Sequence, residues 1–408
     1  MHLNVQPVTP VLLGSDIGAY SVARAFYEAY GARSLVFGKY PASPCNNSRI
    51  IRYRTLPNLE SPQGYAQALE EAAQTTPGKL VVMGFSDTYV QLIAGHPELL
   101  PCQAVTPYAS AELVGRLTNK PRFYQMLDTL GIAHPATHVI GADVAPEQVA
   151  VPFEFPVVLK ASSSAEYFAH PFEGQRKVYD LHDRDELVNA VRAIRASGYA
   201  GELVLQERIP GPDSQMRVLT CYVNRDGRLA ASCLGHVLLE EHTPLGRGNH
   251  ALIVTERDPE LEAAAHAVLE HTGLTGFANF DVKVDPRDGS YRFLELNARQ
   301  GRSNYYLTHA GINVARLLVD DLVEDVASPI APQYGTAGST WSVVPRSVAA
   351  RCVDDASLRS YVLDQAKAGR VANPLWFASD LAPRRLARLV RHALRQRKNF
   401  FAWHRGEL

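Results

Sequence analysis

Apolar runs alternate with stretches of helical spacing along the first part of the chain. Residues 11–13 are apolar, Gly14-Ser15-Asp16 turns, residues 18–30 carry helical spacing and residues 34–38 are apolar again, which predicts a β-α-β unit. Runs at 80–85 and 103–106 extend it into an open parallel sheet ending near residue 115. Beyond this, 121–130 reads as a helix, 155–160 as an apolar strand ending in Lys160, and 162–176 as a polar loop. Residues 185–197 read as a helix and 202–207 as a strand that Ile209-Pro210-Gly211-Pro212-Asp213 breaks.

A strand pair follows at 276–281 and 293–297, joined by a turn of Pro286, Arg287, Asp288 and Gly289. Residues two apart on a strand share a face, so Glu295 and Asn297 project together. Pairing Asp285 with Tyr291 and holding the register constant sets Asp281 opposite Glu295, with all three oxygen donors on one face. Two carboxylates and an amide suit magnesium, which takes hard oxygen ligands and completes its shell with phosphates and water. No His or Cys intrudes, which disfavours zinc. The same alternation also suits a hairpin whose charged face is merely solvated.

Gly14-Ser15-Asp16-Ile17-Gly18 lacks the Gly-x-Gly-x-x-Gly spacing that brings a backbone up to pyrophosphate, so a dinucleotide site is not expected at the first turn. Ser15 and Asp16 remain candidates for substrate contact or for a helix N-cap. Lys160, uncompensated at a strand end, is either solvated or a fixed cation aimed at phosphate.

At 408 residues with 46% hydrophobic content, the chain can bury substantial cores and divide into about two or three domains. Neither a signal segment nor an apolar stretch of bilayer length is evident, so a cytoplasmic protein is expected. The five cysteines are widely spaced without a Cys-x-x-Cys pair, which points to buried thiols. Net charge is −1, but residues 383–408 hold eight basic side chains against Glu407 alone, a local excess of +7 that leaves −8 elsewhere. Leu386, Leu389, Val390 and Leu394 recur at helical spacing beneath those arginines, followed by Phe400, Phe401 and Trp403. Such a segment packs by its leucine stripe or lies on an anionic membrane surface. Positive charge confined to one tail argues against nucleic-acid binding.

Several segments resemble the ATP-grasp superfamily when taken in order. They are Asn119-Lys120 with its following helix, Val157-Val158-Leu159-Lys160, the hinge from Gln206 to Asp213, and Asp281 with Glu295, Asn297 and Arg299. The resemblance spans residues 116–325 and implies a nucleotide held between two α+β subdomains, preceded by an α/β domain at 1–115 and followed by an extension with a basic helix at 326–408. It implies that Lys120 and Lys160 contact phosphates, that backbone groups of Glu207 and Ile209 read adenine, that Asp213 lies near ribose, and that Asp281, Glu295 and Asn297 hold Mg2+. The loop after Lys160 lacks the glycines many relatives lay over phosphate, leaving that cover to serines such as Ser163 and to Lys177 or Arg176.

Within the superfamily the chain is similar to peptidoglycan D-aspartate ligases, through residues 13–20 with Ala23-Arg24-Ala25-Phe26, the serine-rich loop to Gly174, and residues 297–306. The resemblance implies ATP-dependent activation of an amino-acid carboxylate as an acyl phosphate, then capture by an amine of a peptide or muramyl-peptide acceptor. Such chemistry needs positioning and charge neutralisation more than a general base. Catalytic roles fall to Lys160, to Arg299 on the transferring phosphate, and to Arg302 on the substrate carboxylate. Ser303 opens a helix toward that site, and Arg217 is a further substrate candidate, with a surface salt bridge as the alternative for the arginines. Residues 240–249 are a candidate flap, and His236, His242, His250 and His309 show no metal-binding spacing. A dipeptide ligase outside cell-wall synthesis, or a nucleotide-binding regulator without turnover, would use the same nucleotide residues.

Overall fold

Five short strands with crossover helices make the first layer. The computed structural model describes residues 7–42, 44–243, 246–326 and 331–406. Strands β1 (Val8–Leu13), β2 (Ser34–Gly38), β3 (Ile51–Thr55), β4 (Lys79–Gly84) and β5 (Ala104–Val105) lie in the order β3-β2-β1-β4-β5, every pair parallel. Helices α1 (Ile17–Tyr30), α2 (Pro62–Thr75) and α3 (Asp87–Gly95) connect them. The open parallel sheet is the predicted one, with β3 added at its edge. That strand reads Ile-Arg-Tyr-Arg-Thr, and an edge position tolerates the charges that hide it from a search for apolar runs. Helix α1 is buried from Ile17 through Phe26 except at Arg24, because it is covered on both sides. Arg24 donates to the carbonyls of Asn373 and Pro374, tying this helix to the C-terminal region.

Helices α4 (Ala111–Thr118) and α5 (Lys120–Leu130) lead to a four-stranded antiparallel sheet. It contains β6 (Thr137–Ile140), β7 (Val157–Ala161), β8 (Tyr179–Leu181) and β9 (Leu203–Glu207) in the order β6-β9-β7-β8. Two helices accompany it, α6 (Ser164–Phe168) and α7 (Arg184–Ala196). The side chain of Asp183 caps α7, and Leu187, Ala190, Val191 and Ile194 form the stripe that seats it on the sheet. The predicted polar loop at 162–176 therefore contains a helical turn, started by Ser163, whose hydroxyl accepts from the Glu166 amide at 3.4 Å.

The largest sheet runs β14-β13-β10-β11-β12-β16-β17, with β15 paired to β11. Its strands are β10 (Met216–Val223), β11 (Leu229–Glu240), β12 (His250–Glu256), β13 (Gly276–Val284), β14 (Tyr291–Asn297), β15 (Gln333–Tyr334), β16 (Thr340–Ser342) and β17 (Val371–Ala372). Helices α8 (Pro259–Thr272), α9 (Tyr305–His309), α10 (Val314–Leu322), α11 (Arg346–Cys352), α12 (Ala356–Lys367) and α13 (Pro383–His404) complete the fold. Strands β15 to β17 come from beyond residue 325, so that region contributes to the sheet as well as carrying a helix.

The β13–β14 hairpin differs from the predicted constant register. Val284 rather than Asp285 pairs with Tyr291, because the turn closes between Asp285 and Ser290, and a bulge at Leu294 then shifts the ladder so that Asp281 still meets Glu295. Two displacements of one residue cancel. Tyr124 donates to the Leu294 carbonyl at 2.6 Å, holding the bulge from α5.

The C-terminal helix α13 buries a different face from the predicted leucine stripe. Leu389 and Phe400 are buried with Arg385 and Gln396, whereas Leu386, Val390 and Leu394 are 40%, 44% and 58% exposed. Polar partners explain the choice. Arg385 pairs with the fully buried Asp380 at 3.2 Å, donates to the Pro44 carbonyl at 2.7 Å and covers the Tyr20 ring at 4.1 Å. Gln396 donates to Glu241 at 3.4 Å.

Candidate active site

A cavity of about 460 Å³ opens between the four-stranded sheet and the β13–β14 end of the large sheet. Alternation on each strand decides what faces it. Lys160 projects from β7, Asp281 from β13 and Glu295 from β14, while Lys120 enters from the first turn of α5 and Lys177 from the segment before β8. Lys120 pairs with Glu295 at 3.6 Å and donates to Ser164 at 3.5 Å. Among the described residues it alone of the three lysines is ion-paired. Burial pulls the Lys160 ammonium down to about 8, with Lys120 and Lys177 adding repulsion against the attraction of Glu295.

The facing carboxylates are in conflict until a cation or proton joins them. Burial raises the Asp281 carboxyl well above the usual range, and Glu295 beside it raises it further. Burial also pushes Glu295 up, but Lys120, Lys177 and Lys160 together pull it below the ordinary carboxylate range. The Asn297 amide stands next along β14, donating to Glu295 at 3.5 Å and accepting from Arg299 at 3.2 Å. Among the described residues no cluster of three His, Cys, Asp or Glu side chains is arranged for a metal. A hard cation here would rest on the Asp281–Glu295 pair and the Asn297 oxygen, and a strained carboxylate pair of this kind suits one.

The hinge groups are partly engaged within the protein. The Glu207 amide donates to the Ala136 carbonyl, and its carboxylate accepts from Ala136 and Arg287. The Ile209 carbonyl accepts from Lys283 at 3.0 Å, leaving the Ile209 amide without a protein acceptor among the described residues. Asp213 lines the cavity, but its Oδ2 already accepts from the Glu240 amide and meets His242 at 2.8 Å. Ser163 is occupied as a helix cap, and its neighbour Ser164 is the serine that lines the cavity.

A second cavity of about 240 Å³ joins the carboxylate end of the first. Asp16, Asp87, Arg299 and Arg302 line it with Lys177, Glu295 and Asn297. Arg299 pairs with Asp87 at 2.6 Å and Arg302 with Glu241 at 3.1 Å. Asp16 is the N-cap of α1, accepting from the Ala19 amide at 3.0 Å, and it also lines this cavity. Burial raises its carboxyl, and Arg302 counteracts that.

Three predicted substrate residues lie elsewhere. Arg217 points to the opposite face of β10 from Val218, the partner of Asp281, and is held by Glu256 at 2.5 Å. Ser15 sits at the end of β1 against Gly38, outside the cavities. Ser303 is buried beneath the turn into α9, which begins at Tyr305. Of the candidate flap, residues 244 and 245 lie outside the described residues, and the remainder includes Glu240, His242, Arg247 and Gly248 on the cavity wall.

Sequence reading assigned no individual site role to three groups in or beside the first cavity. Burial, then Asp213, raises Glu240 to about 7. Burial, then Lys177, lowers His250 to about 4, so a neutral imidazole stands 3.6 Å from Asp281. Trp403 reaches the first cavity from α13. A Trp shortly after an arginine-rich amphipathic stretch carries no local signal of what it covers.

No family model matches the chain. It is 35% identical over 350 residues to a D-aspartate ligase of Enterococcus faecium (strain Aus0004), covering 83% of each chain. Among solved structures it is similar to an L-amino acid ligase from Bacillus licheniformis, at TM-score 0.53 and 18% identity over 78% of this chain and 75% of that one. It is also similar to the biotin carboxylase domain of Hydrogenobacter thermophilus 2-oxoglutarate carboxylase, solved with magnesium ADP and bicarbonate. The TM-score there is 0.60, at 15% identity over 81% and 72% of the two chains. N5-carboxyaminoimidazole ribonucleotide synthetase from Thermus thermophilus gives 0.55 at 15% identity, over 81% and 82%. The structural likenesses establish the fold.

Proposed function

This chain belongs to the D-aspartate ligase family and has the ATP-grasp fold, and from that premise we propose that it joins the β-carboxylate of D-aspartate to an amine at the expense of ATP. The amine is proposed to be the lysine side chain of a peptidoglycan precursor. The observation that carries the reading is the set of three lysine ammoniums facing the Asp281–Glu295 pair across one cavity. Triphosphate oxygens would satisfy the ammoniums, and magnesium the carboxylates.

In this reading the nucleotide base lies toward the Ile209 amide and its phosphates toward Lys120, Lys160 and Lys177. Bound magnesium would neutralise phosphate charge. Arg302 orients the substrate carboxylate by its planar fork, and Arg299 faces the transferring phosphate. A carboxylate oxygen attacks the terminal phosphorus, ADP leaves, and the acyl phosphate forms. The amine nitrogen then attacks the acyl carbon, inorganic phosphate leaves, and the nitrogen gives up a proton. The buried cations hold both anionic leaving groups, so orientation and charge do the catalytic work. We assign residues 116–325 to this nucleotide-binding unit, with 1–115 helping to wall the acid cavity and the remainder carrying α13.

We also propose that α13 rests on an anionic membrane surface near lipid-linked precursors. Its exposed ridge of Leu386, Val390 and Leu394 runs beside the exposed Arg384, Arg391 and Arg397. No helix among the described residues is long and apolar enough to cross a membrane. The experiment that tests the ligase reading is an ADP-release panel of D- and L-amino acids with lysine-containing peptides, with mass analysis of products. ADP release and an added aspartyl residue only when D-aspartate and the peptide are both present is the expected result; full-rate release with neither would refute it.

A further inference from the structure

A ligase of this kind brings together three substrates, and the protein has three neighbouring cavities with shared walls at Arg302 and His242. The nucleotide cavity and the acid cavity are described above. The third, of about 260 Å³, lies between residues 241–243 and the inner face of α13. It shares Arg302 with the acid cavity and both His242 and Trp403 with the nucleotide cavity. A molecule in it would border both reactants.

The walls are set in two layers. Glu241 Oε1 accepts from Arg302 at 3.1 Å and from Gln396 at 3.4 Å, and its Oε2, with no protein partner among the described residues, is left as an acceptor at the inner end. His392, Arg395 and Asn399 line the outer part and make no hydrogen bond or ion pair within the protein among the described residues. Burial and the neighbouring Arg395 hold the His392 imidazole below its ordinary value, so positive charge in the outer part comes from Arg395. A cavity with an open carboxylate oxygen at its reacting end and an unmatched guanidinium and amide farther out suits a molecule with an amine at one end and an oxyanion at the other.

Resting on the ligase reading, we propose that this cavity seats the amine-bearing substrate, and that Arg395 and Asn399 recognise a carboxylate on it. Phosphate oxygens of a carrier offer similar chemistry. The carboxylate is favoured because one guanidinium and one amide match a single planar oxyanion. In this assignment α13 is part of the substrate-binding surface.

The test uses the full chain and its Arg395→Glu, Arg395→Lys and Asn399→Ala variants. Each is given ATP, D-aspartate, and either a lysine-containing tripeptide with a free terminal carboxylate, the same peptide amidated, or hydroxylamine, which traps the acyl group as a hydroxamate. Expected for Arg395→Glu is a rise of about tenfold or more in KM for the free-carboxylate peptide, with KM for ATP unchanged. The lysine variant should lie between it and the parent, and the amidated peptide should bind weakly to every form. Unaltered peptide KM in both Arg395→Glu and Asn399→Ala, with thermal midpoints and hydroxamate formation intact, overturns the proposal. Equal binding of free and amidated peptides together with competition by inorganic pyrophosphate overturns the carboxylate in favour of phosphate. Absence of hydroxamate from the parent protein overturns the ligase reading itself, and this proposal with it.

Discussion

Trp403 lies flat on His242, with ring centroids 3.6 Å apart and planes 4° from parallel, while the same imidazole meets Asp213 at 2.8 Å. A C-terminal helix is thereby coupled through one stacked pair to a carboxylate on the nucleotide cavity. Trp403→Ala should raise KM for ATP by about five- to tenfold, the size expected from losing an aromatic pair worth roughly 1 kcal/mol. Trp403 emission should also change on titration with ADP. Trp403→Phe should abolish that change with little effect on KM, and an identical response from the Phe variant would assign the signal to Trp341 or Trp376.

Asp281 shows opposed demands of stability and catalysis. Its carboxyl is destabilised by burial and by Glu295, so Asp281→Asn should raise the thermal midpoint of the ligand-free protein by about 1–2 °C, equivalent to roughly 1 kcal/mol. Magnesium-dependent ADP release should fall by about a hundredfold or more. A lower midpoint would show that the pair is already relieved by Lys120.

Lys160 gives a pH signature. Its folded value of about 8 lies below the ordinary 10.5, so the unfolded chain holds more protons between these limits. Stability of the ligand-free protein therefore rises at this residue as pH increases through that window. Affinity for ATP should run the other way, falling above pH 8 as the ammonium is lost. Lys160→Met should flatten the stability change and remove most binding, measurable by thermal shift and calorimetry on the same samples.

The legibility of this fold follows from how local each signal is. The parallel strands β1, β2 and β4 announce themselves because they are buried on both faces, whereas the half-exposed edge strand β3 does not. The facing of Asp281 and Glu295 was legible from alternation, although the route to it was not, since neither the shorter pairing at Val284 nor the bulge at Leu294 has a sequence signature. Arg217 was misplaced because strand parity is relative, and only pairing with β13 fixes which face it takes. The buried face of α13 was illegible for a further reason. An arginine normally reads as solvent-facing, yet Asp380, Pro44 and Tyr20 give Arg385 an ion pair, a carbonyl acceptor and a ring to cover, all contributed by distant parts of the chain.

That buried set predicts a structural lesion away from the chemistry. Asp380 also accepts from Tyr20 at 2.8 Å and Ser48 at 2.7 Å, so Asp380→Ala strands a guanidinium and two hydroxyl groups. A loss of about 3–5 kcal/mol is expected by denaturant titration. Protease cleavage near residue 383 should accelerate in parallel, and unchanged cleavage would mean that Leu389 and Phe400 suffice to hold the helix.

The exposed ridge of α13 should bind vesicles containing anionic lipid and not neutral ones, with binding weakened by salt. Replacing Leu386 and Leu394 by Ser should reduce co-sedimentation severalfold without altering ADP release from soluble substrates. Equal sedimentation of the parent with neutral vesicles would dissociate the arginines from the effect.

Lys120 beside Glu295 has one more consequence. While the cleft is empty, ammonium and carboxylate serve as each other's counterion, at 3.6 Å. An incoming triphosphate draws the ammonium away and deepens the negative field on the hairpin, and an incoming divalent ion does the converse. Each ligand thus prepares the seat of the other, and linkage requires the mutual enhancement to be equal whichever arrives first. In the proposed ligase the pair would act as an interlock that favours the complete metal–nucleotide complex over either of its parts.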